Sequence, residues 1–266
     1  TTNGGVLWEN ISAGIKQFPK HAWIPQIVIN DNQPDEIWVV VNNYRQNDWT
    51  PYLFHTTDNG KHWENCLDKK NVQGHCLSVC PDLLQTQLIF LGTDEGLYVS
   101  MDDGEKWEKW KYQYPSVATQ DLKIHPQEHD LIIGTFGRGI YILDDIRPMR
   151  TWIEQSAMPS DTILLFPPKE GVQANYKRHN GQRFYADLVF QGQSRSSEVK
   201  VGCIIKQNKK KEGEEKEKMK IAILDTKGDT IRYFEQAPDS FVTYVSWGFD
   251  RDGMQYPTRA KREKKK

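Results

Sequence analysis

Two aspartates in this chain stand in matching surroundings, and they are the first residues whose spacing could carry chemistry. Asp58 lies in Thr56-Thr57-Asp58-Asn59-Gly60-Lys61-His62-Trp63. Asp102 lies in Ser100-Met101-Asp102-Asp103-Gly104-Glu105-Lys106-Trp107, 44 residues later. Both stretches read Ser/Thr-x-Asp-x-Gly-x-x-Trp. Thr1-Thr2-Asn3-Gly4-Gly5-Val6-Leu7-Trp8 fits the same form with Asn in the Asp place. Such carboxylates could serve a sugar or a metal ion. They could instead accept bonds from turn N–H groups one and two residues on. Gly60 and Gly104 would then supply a positive φ, while Trp63 and Trp107 bury a ring and hand the indole N–H to a partner. The second role is the expected one. Thr56, Asp58, Gly60, Trp63, Ser100, Asp102, Gly104 and Trp107 therefore read as a structural staple, with each carboxylate occupied by its own backbone.

Other residues could meet a ligand. Arg138 is flanked by Gly137 and Gly139. This suggests a strand lying close to neighbouring backbone, with a guanidinium free to project. An ion pair with Asp144 or Asp145 is the structural alternative. The stretch Asn42 to Thr50 reads as a long polar loop containing Tyr44, Arg45 and Trp49, a composition that suits a binding loop or a loop packed on its own sheet. Cys66, Cys76, Cys80 and Cys203 lack the second Cys/His pair of a zinc site. Buried thiols are expected of them, with one disulfide as the alternative. The seven histidines are scattered. No catalytic set, metal centre or cofactor is expected from these residues.

Composition narrows the function classes. The formal net charge is -1 with 27% charged residues, which argues against a nucleic-acid surface. The longest apolar runs, such as Ile37 to Val41 and Leu88 to Leu91, are too short to span a bilayer. Nine tryptophans and frequent glycines point to β-structure.

The elements that must hold these residues also repeat. Gln33-Pro34-Asp35-Glu36 leads into Ile37 to Val41, Pro81-Asp82 into Leu88 to Thr93, and Pro126-Gln127 into Leu131 to Thr135. After the last two come a glycine and a short strand, Gly96 to Ser100 and Gly139 to Leu143. Each unit thus holds about four short strands separated by turn residues. A period in the forties with four strands per unit is the signature of propeller blades. The longer first interval, 55 residues from Asn3 to Asp58, is ascribed to the Tyr44 to Pro51 loop.

The boxes at Thr56 to Trp63 and Ser100 to Trp107 resemble the Asp-box (BNR) repeats of sialidases, xyloglucanases and sortilin-type propellers. Asp121 to Pro126 and Gly134-Thr135-Phe136-Gly137-Arg138-Gly139-Ile140-Tyr141-Ile142-Leu143-Asp144-Asp145-Ile146 resemble the closing segment of bacterial sortilin-like, glycosyl-hydrolase-like BNR proteins. The resemblance implies a propeller that ends in a linker and a β-sandwich. It also implies an exported protein located extracellularly, in a periplasm or on a cell surface, with which the Asn10-Ile11-Ser12 sequon is compatible. The arginine triad of sialidases cannot be placed here. Asp48, Asp94 and Glu95 are candidates for the distant carboxylates of xyloglucanase-type enzymes, but glycosidase carboxyls must lie about 5–9.5 Å apart and spacing alone cannot pair them.

The expected architecture is all-β: a partial β-propeller of about three four-stranded blades, followed by an Ig-like β-sandwich. Residues 1–146 are assigned to the blades, 147–160 to a linker, 161–258 to the sandwich and 259–266 to a basic disordered tail. Strands are expected at Leu164 to Pro168, Phe184 to Phe190, Val199 to Ile205 and Phe241 to Trp247, a helical turn at Thr151 to Ser156, and a hairpin at Lys220 to Phe234. Lys206 to Lys220 reads as a solvated loop. Three blade equivalents do not close a ring, so the chain is expected to be part of a longer one. The preferred function is an exported module that recognises a protein, peptide or glycan. The alternative is the C-terminal portion of a glycoside hydrolase whose catalytic residues lie mostly upstream.

Overall fold

The computed structural model describes residues 1, 3–11, 14–155, 163–171, 196, 198–205, 218–237 and 243–251. The chain divides into two compact units, Thr1–Ala157 and Met158–Lys266. Among the described residues no helix is long and apolar enough to cross a membrane.

The first unit is built from antiparallel meanders. One sheet has the order β1 (Trp23–Asn30), β2 (Gln33–Asn43), β3 (Asp48–Thr56), β4 (Glu64–Asn65). The next runs β5 (Cys76–Pro81), β6 (Ile89–Thr93), β7 (Gly96–Ser100), β8 (Glu108–Lys109). The third holds β9 (Thr119–Ile124), β10 (Leu131–Thr135) and β11 (Ile140–Leu143). Strand β5 packs against β1 and β2, and β9 against β5 and β6. Successive meanders stacked through their first strands are adjacent propeller blades. The expectation of four strands in each is corrected for the third sheet, which shows three among the described residues.

The stacking is apolar. Trp38, Val40 and Leu53 of the first sheet close over Cys76, Val79, Leu91, Tyr98 and Trp107 of the second. Leu88, Phe90, Leu97 and Val99 on the other side of the second sheet meet Leu122, Leu131 and Ile133 of the third. The middle sheet is thus covered on both faces, and every residue of β6 and β7 is buried. This explains why β6 is a continuous apolar run rather than an alternating one. Each large side chain buried there contributes about 1.5–3 kcal/mol. The outer flanks stay open. Trp23, Ile27 and Ile29 of β1 and Ile140 and Ile142 of β11 are each more than half exposed.

The long loop expected between Asn42 and Thr50 is not there. Strands β2 and β3 extend to pair Asn43 with Asp48, and a single 3-10 turn, Tyr44–Gln46, joins them through Asn47 at φ 59. Strands of 11 and 9 residues, against 5 and 5 for β6 and β7, take up part of the extra sequence. The helix expected at Thr151 starts earlier, as α1 (Arg147–Glu154), with Pro148 in its first turn. Its Ile153, with Ile146 just before it, seals the second core cluster.

Among the described residues, the second unit shows two small antiparallel sheets. Strands β12 (Ile163–Phe166), β13 (Val199–Ile205) and β16 (Thr243–Trp247) form one sheet, and β14 (Met219–Leu224) pairs with β15 (Thr230–Gln236) in the other. The hairpin turns where Asp225 Oδ1 accepts from the N–H groups of Lys227 and Asp229, 2.9 Å each, with Gly228 at φ 89. Met219, read as part of a solvated loop, belongs to β14, as does Lys220, where the hairpin is expected to begin. Residues 206–217 of that loop, the strand at Phe184 to Phe190, residues 241–242 and the tail from Arg259 lie outside the described residues, as do Thr2 and Ser12.

All four cysteines are free. The disulfide alternative therefore falls away. Cys76 and Cys80 share one extended strand, which holds them about 13 Å apart, beyond disulfide reach.

Candidate functional site

The meander topology sorts the connections to two ends. The β3–β4 and β7–β8 connections, which carry the boxes, lie at one end with the β1–β2 and β5–β6 turns. Backbone bonds tie them there: Asn59 N–H to Asp35 O at 3.0 Å, and Asp103 N–H to Gln87 O at 3.1 Å. The β2–β3, β6–β7 and β10–β11 turns, and the segments entering β5 and β9, lie at the opposite end.

At the box end the carboxylates are held by backbone. Asp58 Oδ1 accepts from His62 N–H at 2.9 Å and from Thr56 Oγ1 at 2.8 Å, while Thr56 Oγ1 accepts from Gly60 N–H at 3.1 Å. Asp102 Oδ1 accepts from Lys106 N–H at 2.8 Å and from Ser100 Oγ at 2.9 Å, while Ser100 Oγ accepts from Gly104 N–H at 2.9 Å. The indoles of Trp63 and Trp107 donate to Gly60 O and Gly104 O at 2.9 and 3.0 Å. The same bonds recur at the first box: Leu7 N–H to Asn3 Oδ1 at 2.9 Å and Gly5 N–H to Thr1 Oγ1 at 3.0 Å. One detail differs from expectation. The carboxylate engages the amide four residues on, and the hydroxyl two residues before it serves the turn amides. Bonds from the His62 amide and then its ring hold the Asp58 carboxyl far below the ordinary carboxylate range.

The opposite end has a different chemistry. Tyr44 stacks on His75 with centroids 4.7 Å apart, and Trp49 meets the same imidazole edge-on at 5.5 Å. Tyr44 and Trp49 are 6.0 Å apart. The Arg45 guanidinium lies over the Trp23 ring at 5.1 Å and the Tyr44 ring at 5.5 Å, at cation–π range. His75 is buried and fixed by Asp94. Its backbone N–H donates to Asp94 Oδ1 at 2.8 Å, and the ring Nδ1 lies 3.1 Å from Oδ2 without hydrogen-bond alignment. Gly74 makes room for that carboxylate: a Cβ there would fall 2.0 Å from Asp94 Oδ1. At the end of β2, Asn42 Oδ1 and Asn43 Oδ1 are buried without a hydrogen-bond partner, although Asn42 Nδ2 donates to Cys76 O at 3.1 Å.

Two of the three candidate carboxylates, Asp48 and Asp94, are committed to local partners. Burial alone would raise the Asp48 carboxyl, but bonds from Thr50, Tyr52 and Asn43 outweigh it and hold it below the ordinary value. Asp48 is therefore an acceptor rather than a general acid. Asp94 fixes His75, and Glu95 is exposed. No group of three or more His, Cys, Asp or Glu fit to hold a metal ion occurs among the described residues.

The structure thus brings Tyr44, Arg45 and Trp49 together, and adds Trp23 and His75. Sequence reading missed the last two because Trp23 opens β1, two strands before Trp49, and His75 precedes β5 of the next sheet. Arg138 belongs to the β10–β11 turn at this same end, and is exposed. Its flanking glycines are needed for φ values of 96 and 71, not for close packing, since nothing lies within 4 Å of a Cβ added at either. Asp145, one expected partner, instead takes Arg147, with Nε to Oδ1 at 2.6 Å.

No family model and no curated protein matches the chain. Solved structures do. The GH74 enzyme of Niastella koreensis aligns at a TM-score of 0.40 with 16% identity, over 46% of this chain and 21% of that one. The GH74 xyloglucanase of Xanthomonas campestris aligns at 0.32 with 15% identity, over 41% and 18%. YCF48 bound to D1 peptide aligns at 0.32 with 17% identity, over 46% and 40%. The chain spans between 18% and 40% of the length of these three. Likeness at this level transfers no residue role, and the blade arrangement rests on the sheets described above.

Proposed function

We propose that the chain is part of an exported recognition module, and that its ligand docks at the end opposite the boxes, on the platform of Trp23, Tyr44, Arg45 and Trp49. The observation that carries this reading is the convergence of the Tyr44 and Trp49 rings on the buried His75 imidazole, beside an arginine that lies over the Tyr44 and Trp23 rings. Rigid aromatic and arginine side chains are the usual anchors of recognition surfaces. The ligand is a glycan or peptide that presents a flat apolar face to Trp49 and polar groups to Arg45. Asp-box and sortilin-like kinship, and export with it, belong to the same proposal on the strength of the box motif and its repeated hydrogen bonds.

The test is binding of the full chain to glycan and peptide arrays, followed by titration of the best hit. Trp49→Ala should weaken that hit at least tenfold, a loss of about 1.4 kcal/mol, while Trp63→Phe at the other end leaves it within twofold. Equal affinity for Trp49→Ala and wild type would refute the platform. Hydrolysis of xyloglucan, abolished by Asp94→Asn without loss of fold, would replace recognition by catalysis.

A further inference from the structure

Away from the platform, the box end holds a buried cluster that neither the boxes nor the proposed ligand site uses. Arg150 of α1 reaches across to Asp82, in the turn between β5 and β6. Nε lies 2.6 Å from Oδ2 and Nη2 3.1 Å from Oδ1, a two-pronged pair. Both side chains are nine-tenths buried or more. The third arm of the guanidinium, Nη1, points at His129 Nδ1 at 3.1 Å. An arginine can only donate. His129 Nδ1 must therefore be the acceptor, and the ring is neutral with its proton on Nε2. His129 is itself fixed by its backbone: its N–H donates to His125 O at 2.9 Å, and its O accepts from Ile146 N–H at 2.8 Å, one residue before the helix.

We infer that Asp82, Arg150 and His129 form an acid-sensitive latch that fastens α1 to the middle sheet and loosens when His129 takes up a proton. A second proton on the ring removes the only lone pair that faces Arg150 and sets a cation against a cation, leaving the Asp82 pair and the apolar packing of Ile153 to hold the helix. Other charged groups frame the cluster. Arg147 sits one turn earlier on α1 and is paired with Asp145, whose N–H donates to Asp130 Oδ1 at 2.9 Å. Glu154 ends the helix. On the β9–β10 turn, His125 Nδ1 accepts from the N–H groups of Gln127 and Glu128 at 3.3 and 3.0 Å, and Asp144 precedes Asp145. Desolvation first, then the charges of Arg150 and Arg147, depress the His129 pKa below its ordinary 6.5. The sign follows: the latch is at full strength above the ordinary value and is lost as pH falls through the lower folded one. His129 is only partly buried, so a proton can reach it without unfolding.

Amide hydrogen exchange of residues 149–155 in the full chain tests this, read as protection factors so that the intrinsic rate cancels. Between pH 7.5 and pH 5.0 wild type should lose protection there by about tenfold, the worth of one lost charge-assisted bond. His129→Asn keeps an acceptor for Arg150 and tolerates the positive φ of 58 at this position, but does not titrate. Its protection should change less than twofold. Asp82→Asn should lower protection at both pH values. Full pH sensitivity in His129→Asn would assign the effect to His125 and overturn the proposal, as would undiminished helix protection in Asp82→Asn.

Discussion

Replacing Asp102 tests whether a box aspartate works through its geometry or through its charge. Asp102→Ala removes the acceptor for Lys106 N–H and for Ser100 Oγ. Two bonds at about 1 kcal/mol each give a loss of about 2 kcal/mol, comparable to deleting a helix cap. For a unit of this size that lowers Tm by about 4–8 °C. Asp102→Asn keeps an oxygen in the same place and should cost only a few tenths of a kcal/mol. The chain already contains this experiment, since Asn3 Oδ1 accepts from Leu7 N–H at the distance seen for Asp58 and His62 N–H. Urea unfolding followed by tryptophan fluorescence is a suitable assay, because Trp247 is the single tryptophan beyond residue 157 and the signal reports the first unit. If Asn proved as damaging as Ala, the charge would be what matters, and the staple account of the boxes would fail.

Two further outcomes are expected. Gly92→Ala should destabilise by about 2–3 kcal/mol, because its Cβ would fall 2.3 Å from Ser78 Oγ and 2.5 Å from Thr119 O. Gly137→Ala, in open space but at φ 96, should cost about 1 kcal/mol; equal losses at the two sites in denaturant titrations would contradict this contrast. Burial pushes the thiols of Cys66, Cys76 and Cys80 up to about 12, so iodoacetamide at pH 8 should label them slowly in native protein and readily in urea. Rapid native labelling, read by intact mass, would show that these strands open.

What could be read from the sequence follows the physics of each element. The boxes were legible because a tight turn between two strands needs a hydroxyl, an acceptor, a glycine and a ring in a fixed order, all local. The four-strand period was legible because Gly and Pro punctuate it. The Tyr44 to Thr50 segment was misread because Asn43, Asn47 and Asp48 are turn-formers, yet here two of them pair across extended strands and Asn47 alone supplies the reversal. The ligand platform was half visible. Tyr44, Arg45 and Trp49 are neighbours in sequence, whereas Trp23 is brought to them by the pairing of β1 with β2 and His75, which precedes β5, by the stacking of the second sheet on the first. The Asp82–Arg150 pair, 68 residues apart, leaves no local trace at all.

The open flanks of the first unit bear on its thermodynamics. Hydrocarbon on Trp23, Ile27, Ile29, Ile140 and Ile142 is already wet in the native state, so unfolding hydrates less new apolar area than the chain length suggests. With ~0.45 cal/K/mol per Å² of apolar exposure, these five side chains subtract on the order of 0.2 kcal/mol/K from the heat-capacity increment. Against the roughly 2 kcal/mol/K expected for a unit of 157 residues, that is about a tenth, so the unit's stability curve should be slightly less curved than its length suggests.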